Sequence, residues 1–196
     1  LREELRRLGI ADNTLLWFVS DNGGISDASG IEKKGRIGSR TIGLLEWPRK
    51  IPKPMRTDIP VCHVDMYPTV LDIVGVTMEH QPIIDGVSLL PLFEGRMESR
   101  PKPLGFISGR YAGKRDPTAC EFQNAAWIDG RHMLRLNTPT KQRKTESLTL
   151  YDIQSDPGQD RNLADQHSQE VRRMLKELTT WRESVKASFA GKDYVR

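Results

Sequence analysis

Asp21-Asn22-Gly23-Gly24 is the stretch of this chain whose residue types and spacing first suggest chemistry. The Asp and Asn side chains offer two hard oxygen donors suited to calcium, and the paired glycines let the backbone turn close to an ion or an anion. Two oxygens fall short of the about six to eight that calcium takes, so further ligands have to come from elsewhere. A lone Asp-Asn-Gly-Gly also reads as an ordinary polar turn. Its position is informative, because it directly follows Leu15-Leu-Trp-Phe-Val19. In open α/β sheets, ligands sit just beyond the carboxyl ends of strands.

The elements that must position this stretch are legible on either side of it. Leu15 to Val19 is an unbroken apolar run of strand length, which predicts a strand buried on both faces. Before it, Leu1, Leu5 and Leu8 recur at helical spacing and Gly9 closes the turn. A helix followed by a buried strand is half of a β-α-β unit, so the chain is expected to be a piece of a larger α/β protein.

Composition narrows the classes without naming a reaction. The 196 residues are 37% apolar and 29% charged, enough for one domain or one and a half. No stretch approaches the ~18 consecutive apolar residues of a membrane span, and no signal-peptide pattern opens the chain. Two cysteines, Cys62 and Cys120, exclude a disulfide-dense scaffold and a Cys-rich zinc site. A net charge of +4 is too weak to argue for nucleic acid.

Four stretches in one order then carry a resemblance. Asp12-Asn-Thr-Leu-Leu-Trp-Phe-Val-Ser-Asp-Asn-Gly-Gly24 resembles the second half of the catalytic domain of sulfatases, in the alkaline-phosphatase-like superfamily. Ile59-Pro-Val-Cys-His-Val-Asp-Met-Tyr-Pro-Thr-Val-Leu-Asp-Ile-Val-Gly75 resembles a later helix of that domain. Asp85-Gly-Val-Ser-Leu-Leu-Pro-Leu-Phe-Glu-Gly95 and Leu150-Tyr-Asp-Ile-Gln-Ser-Asp-Pro-Gly-Gln-Asp-Arg-Asn-Leu163 resemble two segments nearer its end. The resemblance implies an α/β fold: the end of an alkaline-phosphatase-like mixed sheet with helices, over residues 1–100. A small antiparallel sheet packed by a C-terminal helix follows over residues 101–196.

The resemblance also implies roles. Asp21 and Asn22 take the place of two calcium ligands, and Lys34, with Lys33 as the alternative, takes that of a sulfate-contacting lysine. Around them Lys33-Lys-Gly-Arg-Ile-Gly-Ser-Arg-Thr41 departs from the family's pattern, whereas Trp47-Pro48 keeps it. The nucleophile is missing. Sulfatases make a formylglycine from Cys or Ser in C/S-x-P-x-R; neither Cys62 nor Cys120 sits in that motif, and no Ser-x-Pro-x-Arg occurs. The family's first calcium-binding Asp pair and its G-K-x-H stretch are absent too. The expectation is therefore the C-terminal portion of a sulfatase, inactive alone and acting on a sulfated small molecule or carbohydrate. Its partner is the missing N-terminal half, with self-association as the other outcome, and no nucleic acid or membrane is expected. Family habit implies a periplasmic, secreted or lysosomal location. The alternatives are a non-catalytic carbohydrate-binding or accessory homologue, or a phosphonate or phosphodiester hydrolase of the same superfamily.

The remaining candidates read as structural. Asp65 precedes Met-Tyr-Pro as an N-cap, with Gly75 closing the helix and Met66, Val70, Ile73 and Val74 expected to face the core. His63, His80, His132 and His167 have no ligand-spaced partners. The basic stretch Arg131 to Lys144 contains no acid, but aromatic residues are too few there for single-strand recognition. Beyond Pro101-Lys-Pro103, residues 104–108, 125–129, 131–136 and 147–152 are expected strands, and Asp129-Gly130 is a hairpin signal. In the last helix Val171, Met174, Leu175, Leu178, Trp181 and Val185 form one apolar face.

Overall fold

The computed structural model describes residues 1–20, 41–111, 120–139 and 144–193. Two compact units divide the chain, Leu1–Thr57 and Asp58–Arg196.

In the first unit, helix α1 (Arg2–Arg7) carries Glu3 and Glu4 in its first turn and Arg6 and Arg7 in its last. That arrangement complements the helix dipole. The chain then passes a short 3-10 turn, Ala11–Asn13, into strand β1 (Leu16–Val19), which pairs antiparallel with β2 (Gly43–Glu46). The expected strand is present, but it is not buried on both faces. Phe18 is 61% exposed and lies opposite the equally exposed Leu44. The unbroken apolar run reported strand length correctly and burial incorrectly, since every other side chain of a strand points to the same face whatever covers that face.

The second unit begins with a 3-10 turn, His63–Asp65, that runs into helix α2 (Met66–Val74). Gly75 ends α2 in the left-handed conformation at φ +66°, as expected. A short helix α3 (Leu90–Phe93) follows. Strands β3 (Leu104–Tyr111), β4 (Cys120–Asp129), β5 (His132–Asn137) and β6 (Ser147–Asp152) form an antiparallel meander in sequence order. Asp129 pairs with His132 across a two-residue turn whose Gly130 has φ +56°. Helix α4 (Ser168–Phe189) packs its apolar stripe on this sheet. Met174 and Leu178 are fully buried among Ala125, Trp127, Leu134, Leu136 and Leu150. Gly105 allows the approach of Trp181, because a Cβ there would lie 2.5 Å from the indole ring.

Helix α2 departs from expectation. Of the four residues expected to face the core, Met66 and Ile73 are half-buried, whereas Val70 and Val74 are 47% and 59% exposed; the fully buried residues are Thr69 and, at the entry to the helix, Asp65. The helix turns its polar face inward because that face is bonded to the rest of the unit, through contacts described below.

Candidate functional site

Asp21, Asn22, Lys33 and Lys34 lie outside the described residues, and the frame that carries them is described on both sides. β1 ends at Val19, opposite Gly43 at the start of β2. Ser20 N–H donates to the Ile42 carbonyl at 3.0 Å, extending the pairing one residue further. The chain therefore leaves β1 and re-enters β2 at one point, and Asp21, Asn22, Lys33 and Lys34 all belong to the connection that starts and ends there. Sequence order alone places the Asp21-Asn22 pair immediately beyond the carboxyl end of a strand.

That stem is braced from behind. Glu46 at the far end of β2 pairs with Arg2 of α1 at 2.5 Å and with Arg6 at 3.6 Å. A hydrogen bond from Arg2 holds the Glu46 carboxyl below the usual carboxylate range. Arg49 N–H donates to Asp12 O at 2.9 Å, tying the turn after β2 to the segment before β1. Trp47 is buried, and its indole N–H has no acceptor among the described residues. By residue type alone, Asp21 offers a charged oxygen and Asn22 a neutral one, donors of the kind a hard cation takes. Among the described residues, no group of three or more His, Cys, Asp or Glu side chains could hold a metal.

The second unit contains a buried charged centre that the sequence showed only in part. Asp65 accepts from Cys62 N at 2.8 Å, from Val87 N at 2.9 Å, and from both terminal nitrogens of Arg100 at 2.8 Å. Its carboxylate caps the 3-10 turn rather than α2, which receives no side-chain cap. Arg100, 35 residues away and fully enclosed, is the partner that sequence reading missed. Gly86 lets the segment that carries Val87 pass close to the 3-10 turn, since a Cβ there would lie 2.0 Å from the Val64 carbonyl oxygen. Thr69 Oγ1 donates to Asp65 O at 2.5 Å and accepts from Leu89 N at 2.9 Å. A bidentate pair with every carboxylate oxygen occupied is a structural anchor, and it has no open position for substrate.

The basic stretch after Arg131 is committed to structure where it is described. Arg131 bonds Asp152, and Arg135 donates to Gln159 Oε1 at 3.3 Å. His132 meets Glu170 at 3.2 Å and stacks near His167, with ring centroids 5.9 Å apart. Arg173 bridges Asp129, Glu170 and Glu177, which bonds the start of α4 to the β4–β5 hairpin.

No family model matches the chain. Among curated proteins, human steryl-sulfatase is 34% identical over 114 residues, covering 50% of this chain and 19% of the relative. The Escherichia coli uncharacterized sulfatase YdeN is 32% identical over 108 residues, covering 50% and 19%. The matches thus span about a fifth of these relatives' length. Among solved structures, Ps i-CgsB in complex with k-i-k-neocarrahexaose matches 95% of this chain and 43% of its own, with a TM-score of 0.71 and 22% identity. BT4656 in complex with D-glucosamine-2-N,6-O-disulfate matches 97% and 37%, with a TM-score of 0.64 and 20% identity. The phosphonate monoester hydrolase of Agrobacterium radiobacter matches 98% and 38%, with a TM-score of 0.58 and 19% identity. The expected fold, with its small antiparallel sheet and C-terminal helix, is the observed one.

Proposed function

We propose that this chain, a relative of the sulfatases by the matches above, forms the C-terminal portion of a calcium-dependent sulfatase and supplies one side of its site. The observation that supports this most directly is the position of Asp21-Asn22. The pair follows the carboxyl end of β1 in a chain whose curated relatives are sulfatases. Asp21 and Asn22 would hold the calcium through their side-chain oxygens, and Lys34, or Lys33 beside it, would pair its ammonium with the sulfate. Calcium bound there supplies Lewis-acid polarisation of a sulfate oxygen. The nucleophile has to come from polypeptide that these 196 residues do not include, because no formylglycine precursor motif occurs in them. Residues 1–196 alone are therefore inactive in this reading.

A sulfated sugar is the favoured substrate class, since two of the matched folds are complexes with neocarrahexaose and with a glucosamine disulfate. Secretion, or export to the periplasm or lysosome, accompanies such a substrate. A second reading, phosphonate ester hydrolysis, is favoured by the Agrobacterium fold match alone. Aryl sulfate and aryl phosphonate assayed side by side separate the two.

The deciding experiment is calcium titration and aryl sulfate turnover on the complete protein and its Asp21→Ala variant. Loss of a charged ligand should weaken calcium binding and abolish turnover together, with the fold intact. Asn22→Asp keeps an oxygen but adds negative charge, so calcium should still bind while the sulfate anion is held less well. Unchanged turnover in Asp21→Ala would reduce the pair to an ordinary turn.

A further inference from the structure

Arg49, Lys50, Lys53 and Arg56 place four cations within eight residues of the first unit, in the segment that follows β2. No acidic residue lies between Trp47 and Thr57. All four cations are exposed, and no described carboxylate pairs with Arg49, Lys53 or Arg56. By contrast, Arg100, Arg131 and Arg173 are each paired with carboxylates. The strip also carries its charge on restrained backbone. Arg49 N–H donates to Asp12 O at 2.9 Å, and the N–H groups of Lys50 and Ile51 donate to the carbonyl of the buried Trp47 at 3.0 and 2.7 Å. Pro48, Pro52 and Pro54 fix three φ angles and hold the residues before them out of helical conformations. Holding this segment against a ligand therefore costs little chain entropy.

A lone small anion gains little from one exposed cation, because solvent screens the pair. A linear polyanion that meets several cations at once releases counterions at each, and those gains accumulate. The composition of the strip narrows the polyanion. Single-stranded nucleic acid is held on aromatic platforms, and residues 48–57 contain no aromatic residue. A membrane surface takes a helix with an apolar face, and this segment is neither helix nor strand. A sulfated sugar chain asks only for cations at intervals along an open surface. The four residues of β2, at ~3.4 Å each, set the strip roughly 14 Å along the strand from the end where the connection bearing Asp21 and Asn22 attaches. We propose that the Arg49–Arg56 strip is a second binding site, which holds a sulfated polysaccharide away from the reacting sulfate. For its ligand class the proposal rests on the functional reading above, and it adds that the substrate is a polymer.

The test measures binding of the complete protein to dextran sulfate, with uncharged dextran as the blank and aryl sulfate turnover followed alongside. The parent should bind dextran sulfate alone, and less tightly as salt rises. Lys53→Glu/Arg56→Glu should bind about tenfold more weakly. Its urea midpoint and its aryl sulfate kcat and KM should match the parent's, since neither side chain has an ion-pair partner to lose. Arg172→Glu/Lys176→Glu makes the same change of charge on the exposed side of α4 and should bind like the parent. Dextran sulfate should also inhibit aryl sulfate turnover, with about tenfold more needed for the strip variant, while inhibition by inorganic sulfate stays the same. Normal binding by the strip variant would overturn the inference, and so would equal weakening in the α4 variant, because net charge would then account for binding. In either case aryl sulfate turnover by the parent leaves the functional reading standing. Equally tight, strip-dependent binding to mixed phosphatidylcholine–phosphatidylserine vesicles or to oligothymidylate would overturn the ligand class. A parent that binds through the strip but turns over no aryl sulfate would overturn the functional reading instead.

Discussion

Helices α2 and α4 belong to one unit and are both amphipathic, yet they turn opposite faces inward. α4 buries Met174 and Leu178 against the sheet, and α2 buries Thr69, with Asp65 at its entry, while leaving Val70 and Val74 exposed. Apolar burial decides the first case, at about 25 cal/mol for each Å² removed from water. Specific bonds decide the second. Four donors converge on one carboxylate that sits at the α2 entry, and those bonds hold the helix in this orientation. A periodic stripe therefore predicts a helix more securely than it predicts which way that helix faces.

The largest effect should come from removing the centre of that arrangement. Asp65→Ala leaves Arg100 enclosed without its partner and should destabilise the second unit by about 3–5 kcal/mol in urea unfolding. A loss under about 1 kcal/mol would mean that something other than this pair orients α2. Next in size, Leu178→Ala opens a cavity under α4 and should cost about 2–5 kcal/mol, measured the same way. If it proved harmless, the assignment of α4 as the covered helix would fail.

A smaller effect concerns acid. Arg131 holds the Asp152 carboxyl well below the usual carboxylate range, against the opposing pull of desolvation. A depressed carboxylate contributes stability above its unfolded pKa and loses it as pH falls through the folded one. Asp152→Asn should therefore flatten the fall in unfolding free energy below about pH 4, where an unfolded Asp protonates. Arg131 is about half exposed, so the change should be modest, and identical acid limbs in both proteins would show that the pair contributes nothing. Smallest of all, Val74→Ser on the open face of α2 should change stability by no more than about 0.5 kcal/mol in 1–196. A larger loss would show that this face is already packed.

Much of the second unit was legible in the sequence, and the reasons are local. The apolar face from Val171 to Val185 needs only a 3.6-residue period to be seen, and Asp129-Gly130 marks its turn by residue type. Strands β3 and β4 run past their expected ends, to Tyr111 and back to Cys120, because pairing resumes beyond a register shift between Ile107 and Gly109, in a stretch with no unbroken apolar run. The Asp65–Arg100 pair was hidden for a different reason: nothing in sequence links residues 35 apart except the folded path between them. The exposure of Phe18 was hidden too, since an apolar residue reads the same covered or bare. At the candidate site, motif order supplied Asp21, Asn22 and the lysine pair, and the structure contributes the strand ends that anchor their connection.

Trp181 carries a further consequence, in the order of events during synthesis. Its ring lies against Gly105, and its indole N–H donates to Asp85 Oδ1 at 2.9 Å, 96 residues earlier in the chain. Asp85 is two residues before Val87, whose backbone holds Asp65. Contacts across so much intervening chain form late and slow folding. Synthesis of residue 181 therefore sets the earliest moment at which the Asp85–Val87 segment gains its outer clasp, and a nascent chain that stops short of it carries the whole Asp65 centre without that clasp.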